Sequence, residues 1–266
     1  MTKEVDLNQI SERLISFLKL KTSPVGFKFF ESEHDLVNIE RPKFKMPVCQ
    51  IIGNARWNKK VLGATADDML CHYGAACIGL MDKPEWLKTG EFYIELKVTE
   101  DPEVAKAIAD GIPKIEKRFE AFAVGPLESI TFNPDLVIIY GDTEQIMRLI
   151  TTTCGALKIP RLTMSVLGDT GICGDGIPQA FNTGKPVAFV PCIGDRAYAN
   201  VTASELAMVF PASIVNEKLV DHVEMMDYQL PTPRRNLFAP LGAVEEVKER
   251  FVKVSVKSID TGTPLK

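Results

Sequence analysis

A chain of 266 residues is long enough to bury a large apolar core without help from disulfides or structural metals. Its 31 Lys and Arg are spread along the sequence against 35 Asp and Glu, which argues against general nucleic-acid binding. The first ten residues include acidic and polar residues where a secretion signal would need a basic start and an apolar run, and no later stretch approaches 18 uninterrupted apolar residues. The sequence therefore predicts a cytoplasmic protein without a secretion signal or a membrane span.

The first part of the chain predicts helices and strands in alternation. Apolar residues recur at three- and four-residue steps over residues 6–20, behind Asp6 as an N-cap, which predicts an amphipathic helix. The stretch Val25–Phe30 predicts a strand. Thr65 and Asp68 have the spacing of a capping box and predict a second helix over the following dozen residues.

The second part of the chain continues this mixture. Strands are predicted at Tyr93–Val98, Leu136–Tyr140, Leu162–Leu167 and Val187–Val190. Helices are predicted at Pro102–Phe119, with Pro113 as a kink or boundary, and from Asp142 towards Thr153, with Gly155 as a stop. The segments Ser204–Phe210 and Val215–Tyr228 predict two short helices or a strand and a helix.

The domain organisation follows from the absence of repeats and of composition breaks before residue 230. We expect residues 1–230 to form a single α/β or α+β domain, with helices packed on a mixed sheet. Residues 231–266, which begin with a proline-rich stretch, are expected to be a C-terminal extension. A homo-oligomer is compatible with this sequence.

Six cysteines in a cytoplasmic protein are expected to be thiols, which leaves metal ligation, redox chemistry and core packing as their roles. Cys173 is the strongest ligand candidate, because glycines surround it in the segment 171–176. Gly171 and Gly174 would let the backbone approach a bulky group and direct N–H donors toward thiolates or cluster sulfides. A tight glycine turn that happens to contain a cysteine is the alternative.

Cys192 follows a predicted strand, at a position where loops commonly assemble sites. Arg196, four residues further on, would pair with an anion or with Asp195. A buried cysteine that caps a strand is an equally ordinary explanation.

Helix geometry separates Cys71 from Cys77, because six helical steps of ~100° place them ~120° apart. The apolar stripe assigns Cys77 to the core, whereas Cys71 shares its face with the small Gly74 and Ala75. Cys49 and Cys154 both lie in apolar contexts, which taken alone predict core positions.

Several segments spread over roughly residues 8–228 form a recognisable pattern: Thr22–Val25, Cys49-Gln50, Asp68–Leu80, Gly125–Leu127, Pro134-Asp135, Gly171–Asp175, Gly184–Pro186 and Cys192–Arg196. In these segments the sequence resembles the domain-of-unknown-function family 169, a prokaryotic family common in anaerobes and methanogens. It implies Cys49, Cys71, Cys173 and Cys192 as a ligand set and does not require Cys77 or Cys154. It implies no activity.

Four thiolates from separate loops would complete the coordination of a [4Fe–4S] cluster. The leading hypothesis is therefore an iron–sulfur protein with a redox or electron-transfer role in anaerobic metabolism, served by a redox partner protein. Zinc is compatible with four thiolates, but a domain of this size hardly needs a structural zinc. Non-covalent haem is an alternative cofactor, with Cys71 or His72 as axial ligand.

Two other functions stay open at this point. The first is a non-catalytic module that binds a small acidic ligand or a delivered cofactor through Arg196 and the N–H groups of the glycine loop. The second is a thiol enzyme with Cys173 as nucleophile, although the sequence shows no evident base to deprotonate the thiol. The three histidines and the glycine spacings support neither a Ser–His–Asp site nor a nucleotide-binding loop.

Overall fold

The structure is a computed structural model, and it describes residues 6–226. Six strands form one sheet in the order β2-β3-β1-β4-β6-β5. Their bounds are β1 Val25–Phe30, β2 Leu62–Thr65, β3 Ala121–Pro126, β4 Leu136–Asp142, β5 Val187–Phe189 and β6 Glu205–Pro211. All pairings between these strands are antiparallel. The predicted domain is thus confirmed in its α+β form, with an antiparallel sheet in place of the expected mixed one.

Ten α-helices surround the sheet within the described residues. Their bounds are α1 Leu7–Leu18, α2 Val48–Asn58, α3 His72–Cys77, α4 Glu85–Lys88, α5 Glu91–Glu95, α6 Pro102–Gly111, α7 Thr143–Leu157, α8 Ile177–Thr183, α9 Ile193–Tyr198 and α10 Glu217–Met225. No helix of this part of the chain is long and apolar enough to cross a membrane. The predicted extension, residues 231–266, lies outside the described residues and stays a prediction.

The two faces of the sheet bury separate apolar cores, because side chains alternate along each strand. On β4, Ile138 and Tyr140 belong to the core that includes residues of α2, α3 and α8. Val137 and Ile139 belong to the opposite core, which α1, α7 and α10 cover. The face with α2 and α8 carries the candidate site.

Local signals in the sequence predicted several elements correctly. The Asp6 side chain accepts a hydrogen bond from Gln9 N and caps α1, as predicted. Strand β1 has the predicted bounds. Asp142 and Gln145 form a capping box at the start of α7, but that helix runs past Gly155 to Leu157, so the predicted stop is wrong.

The helix predicted after Thr65 is interrupted. Thr65 and Asp68 do form a capping box, but on a single 3₁₀ turn. The backbone of Met46 then bonds with Asp68 and Leu70, so this stretch is extended. The α-helix begins only at His72, with Cys71 as its N-cap.

Other element predictions were wrong for identifiable reasons. Tyr93–Val98 begins as helix α5, because Tyr93 packs into a small core with Tyr73 and Cys77. Helix α6 ends at Gly111, so Pro113 marks a boundary, as one of the two predicted alternatives had it, and the predicted extent to Phe119 is too long. The segment 162–167 has no regular structure. Cys77 is fully buried in the small core, in line with its predicted role.

Candidate functional site

Three of the four candidate cysteines lie at the start of a helix. Cys49 is the second residue of α2. Cys71 is the N-cap of α3, and its Sγ accepts a hydrogen bond from Gly74 N at 3.4 Å. Cys192 is the N-cap of α9, and its Sγ accepts from Asp195 N at 3.5 Å. Free N–H groups at helix starts favour the thiolate form of a cysteine.

Cys71 and Cys173 approach each other at Gly74. Cys173 ends the 3₁₀ turn Gly171–Cys173, which packs beside α3. A methyl group added at Gly74 would lie 2.9 Å from Cys173 Sγ and 3.8 Å from Cys71 Sγ. The two sulfur atoms therefore border the same space beside Gly74, and Cys173 Sγ enters that space because residue 74 has no side chain.

Cys49 and Cys192 both border Gly194. The Cys49 thiol donates a hydrogen bond to Gly194 O at 3.6 Å. A methyl group at Gly194 would lie 3.5 Å from Cys192 Sγ. Helices α2 and α9 pack against each other and bring these two thiols together from residues far apart in sequence.

The four thiols share one electrostatic environment. Burial raises the pKa of Cys173 well above its usual value, and negative charge at Cys49, Asp195, Cys71 and Cys192 raises it further. Burial likewise raises the pKa of Cys49, with Asp195, Cys192 and Cys71 adding to the effect. Four thiolates here would repel one another, so the thiolate form requires a cationic group among them.

Of the two other cysteines, Cys154 is remote from the four thiols, whereas Cys77 belongs to the small core against which Cys71 also packs. Cys154 is on α7, which covers the opposite face of the sheet. Cys77 is in the small core, where burial raises the pKa of its thiol to about 12.

Asp195 ties two of the cysteine segments together. Its Oδ2 accepts hydrogen bonds from Cys192 N at 3.0 Å and from Ile172 N at 3.2 Å. Its Oδ1 is buried and has no hydrogen-bond partner among residues 6–226. Burial raises the pKa of this carboxyl to about 6, although the two N–H groups oppose the shift. The capping-box spacing of Cys192 and Asp195 was the sequence signal for this arrangement.

Each of the three other predicted site residues contacts another residue of the same chain. These residues are Gly171, Gly174 and Arg196. A side chain at Gly171, which has a φ of 31°, would collide with the Asp195 carboxylate. A side chain at Gly174 would collide with Thr170. The half-buried Arg196 donates from Nη1 to Thr202 O at 2.5 Å. These contacts account for the presence of the three residues without a cofactor. A role for them in cofactor binding stays a prediction.

Two residues that the sequence did not single out also border the site. Arg56, fully buried on α2, donates from Nη2 to Glu205 Oε1 at 2.5 Å and from Nε to Thr22 Oγ1 at 3.2 Å. Its guanidinium lies 3.9 Å from the centre of the Tyr140 ring. Arg56 Nη1 and the Tyr140 hydroxyl have no hydrogen-bond partner within the described part of the chain.

No group of three or more His, Cys, Asp or Glu side chains in residues 6–226 is arranged to hold a metal ion. A single zinc ion needs thiolates within about 2.3 Å of one point, which crowds the ligand atoms together. His72, the alternative haem ligand, is exposed at the start of α3.

A family model described as "Uncharacterised ArCR" (DUF169) matches residues 13–220. The chain belongs to this family. The match to domain-of-unknown-function family 169 confirms the resemblance predicted from the sequence, and it spans the positions of all four candidate cysteines.

A curated relative in this comparison is "Uncharacterized protein MJ0308" of Methanocaldococcus jannaschii. It is 30% identical over 229 residues, which cover 84% of this chain and 96% of that protein. No solved structure matches the chain.

Proposed function

We propose that this family 169 protein binds a [4Fe–4S] cluster and has a redox or electron-transfer role in anaerobic metabolism. The ligands are Cys49, Cys71, Cys173 and Cys192. The observation that carries the proposal is the grouping of these thiols, from four separate segments, in one electrostatic environment around Gly74 and Gly194. The two remaining cysteines lie outside this group.

The chemistry of the ligand set favours a cluster over a single ion. Each iron of a cubane takes one cysteine, so the four sulfur ligands stand further apart than the ligands of a zinc ion. The iron ions also supply the positive charge that four buried thiolates need. The backbone N–H of Gly74 already donates to Cys71 Sγ, and that of Asp195 donates to Cys192 Sγ. Both hydrogen bonds would stabilise the thiolate form.

A bound cluster of this kind accepts or donates one electron, and the chain's residues would control that step. Burial of Cys49 and Cys192 keeps water from one side of the site. Cys71 and Cys173 are half-buried and form its more accessible side. Leu70, next to Cys71, is 57% exposed. We expect a redox partner to approach on that side.

The alternatives have less support. An acidic ligand would meet four thiols and the unpaired Asp195 oxygen, and the N–H groups of Ile172, Gly174 and Gly176 already bond within the chain. A nucleophilic Cys173 would need a low pKa, whereas burial and its acidic neighbours raise it. Haem would need an axial ligand aimed inward, and His72 is exposed.

The test is the metal content of protein prepared and reconstituted without oxygen. We expect about four iron and four sulfide per chain, with broad visible absorbance and a paramagnetic signal after one-electron reduction. Replacing any one of Cys49, Cys71, Cys173 or Cys192 by Ser should abolish or strongly reduce the bound iron and sulfide.

The matched control is Cys154→Ser, on the opposite face of the sheet, which should keep full iron and sulfide content. Wild-type protein that takes up no iron and sulfide under these conditions would overturn the proposal. Zinc bound in place of iron, or equal loss in the control, would also count against the assigned ligands.

A further inference from the structure

The Tyr140 hydroxyl is a buried polar group without a partner in the described chain. Tyr140 lies on β4, and only 2% of the residue is exposed. Its hydroxyl makes no hydrogen bond to any of residues 6–226. A buried hydroxyl loses its hydrogen bonds to water on folding, so an unpaired one is costly. Phenylalanine would fill the same core position without that cost.

The location of the ring points to the cysteine site. The ring lies 3.9 Å from the guanidinium of Arg56, and its edge meets Phe189 at a centroid distance of 6.3 Å. Arg56 and Cys49 are seven residues apart on α2, so they lie on nearly the same face of that helix. The face that contacts Tyr140 is therefore also the face that carries a proposed cluster ligand.

The charged groups that act on the Tyr140 hydroxyl include residues of the cysteine site. Burial raises the pKa of Tyr140 well above its usual value, and the negative charges that raise it further belong to Asp195, Cys49 and Cys173. The Arg56 charge acts in the opposite direction. The surroundings of this oxygen are anionic or potentially anionic, so its useful role is that of a hydrogen-bond donor.

We infer that the Tyr140 hydroxyl donates a hydrogen bond to a sulfide of the bound cluster, and thereby raises the reduction potential. This inference rests on the proposed function. Reduction adds one electron and makes the cluster and its ligands more negative. A hydrogen bond to sulfur stabilises the reduced state more than the oxidised state, and hydrogen bonds to sulfur are an established way to tune such potentials.

The test is a redox titration of wild-type and Tyr140→Phe protein, both loaded with iron and sulfide and reduced stepwise with dithionite. We expect the midpoint potential of Tyr140→Phe to fall by about 59 mV, which corresponds to a tenfold change in a one-electron equilibrium constant. Tyr198→Phe is the matched control, because Tyr198 is 53% exposed on α9. Its potential should equal that of the wild type.

Two failures are distinguishable. Wild-type protein without iron and sulfide would overturn the proposed function itself. Loaded Tyr140→Phe protein with the wild-type potential would overturn only the role of Tyr140.

A second measurement uses the metal-free proteins. If the hydroxyl has no partner in the chain, Tyr140→Phe should unfold at the same or a higher denaturant concentration than the wild type. A tenfold or larger loss in the folding equilibrium constant would show that the hydroxyl bonds within the protein, and would overturn the inference.

Discussion

Single residues set the spacing of the four thiols. Gly74 lies beside both Cys71 Sγ and Cys173 Sγ, and its missing side chain leaves the space that Cys173 Sγ enters. Gly171 lets the Asp195 carboxylate approach the backbone that carries Cys173. The sequence showed small residues beside Cys71 and Cys173, which is why both were candidates. It did not show which group each glycine accommodates, because those groups come from distant segments.

Gly74→Ala tests the importance of that space. The added methyl group would lie 2.9 Å from Cys173 Sγ, closer than carbon and sulfur ordinarily pack. We expect the variant to bind markedly less iron and sulfide than the wild type after anaerobic reconstitution. Gly111→Ala is the control, because a methyl group there would meet nothing within 4 Å. Full iron content in Gly74→Ala would show that this space is not part of the site.

Helices and strands are positioned by hydrogen bonds that the local sequence only partly reveals. The caps of α1 and α7 were predictable, because each is completed within four residues. The capping box at Thr65 formed too, yet pairing with the distant Met46 stopped the helix and made Cys71 an N-cap. Helix α2, which carries Cys49 and Arg56, was missed, because Cys49 stands in an apolar context that predicts only burial.

Glu128 connects several of these elements. Its carboxylate accepts hydrogen bonds from Ser11 on α1, from Ser23 before β1 and from Lys59 after α2. Burial by itself would raise the pKa of Glu128, but these bonds and its own backbone N–H outweigh burial and lower it. The ionised carboxylate therefore stabilises the folded state.

The pH dependence of this contribution has a definite sign. Because the pKa of Glu128 is lower in the folded state than the usual 4.5, its stabilisation is present above pH 4.5 and is lost as the pH falls below that value. Glu128→Gln should lower the free energy of unfolding by about 1 kcal/mol at pH 7 and flatten its acid-side decline.

Urea unfolding between pH 3 and 7 measures both effects. Glu12→Gln, at an exposed position of α1, should follow the wild-type curve. A Glu128→Gln curve parallel to that of the wild type throughout this range would refute the assignment.

Within residues 6–226, the two faces of the sheet differ in what they carry. One face, with α1, α7 and α10, packs an apolar core that includes no candidate ligand. The other carries α2, α8 and the loops that bring the four cysteines together. The buried pair of Arg56 and Glu205 links α2 to β6 on this second face.

A chain that ends after residue 230 tests the predicted domain boundary. Residues 6–226 contain a complete six-stranded sheet with a core on each face. We therefore expect the shortened protein to unfold cooperatively at nearly the wild-type temperature and to retain its iron and sulfide content. Calorimetry and metal analysis measure the two properties. Loss of the cooperative transition would place part of the fold after residue 230.

The sequence by itself determined what depends on near neighbours. Periodic apolar residues and caps predicted α1, β1, β4 and the start of α7, and glycine context together with family resemblance selected the four cysteines. Tertiary structure alone decided the rest. The grouping of thiols around Gly74 and Gly194 joins segments far apart in sequence. The tertiary structure also shows that the Tyr140 hydroxyl has no hydrogen-bond partner within residues 6–226. A sequence cannot show this, because a hydrogen bond depends on the distance and angle between atoms of residues that can be far apart in the chain.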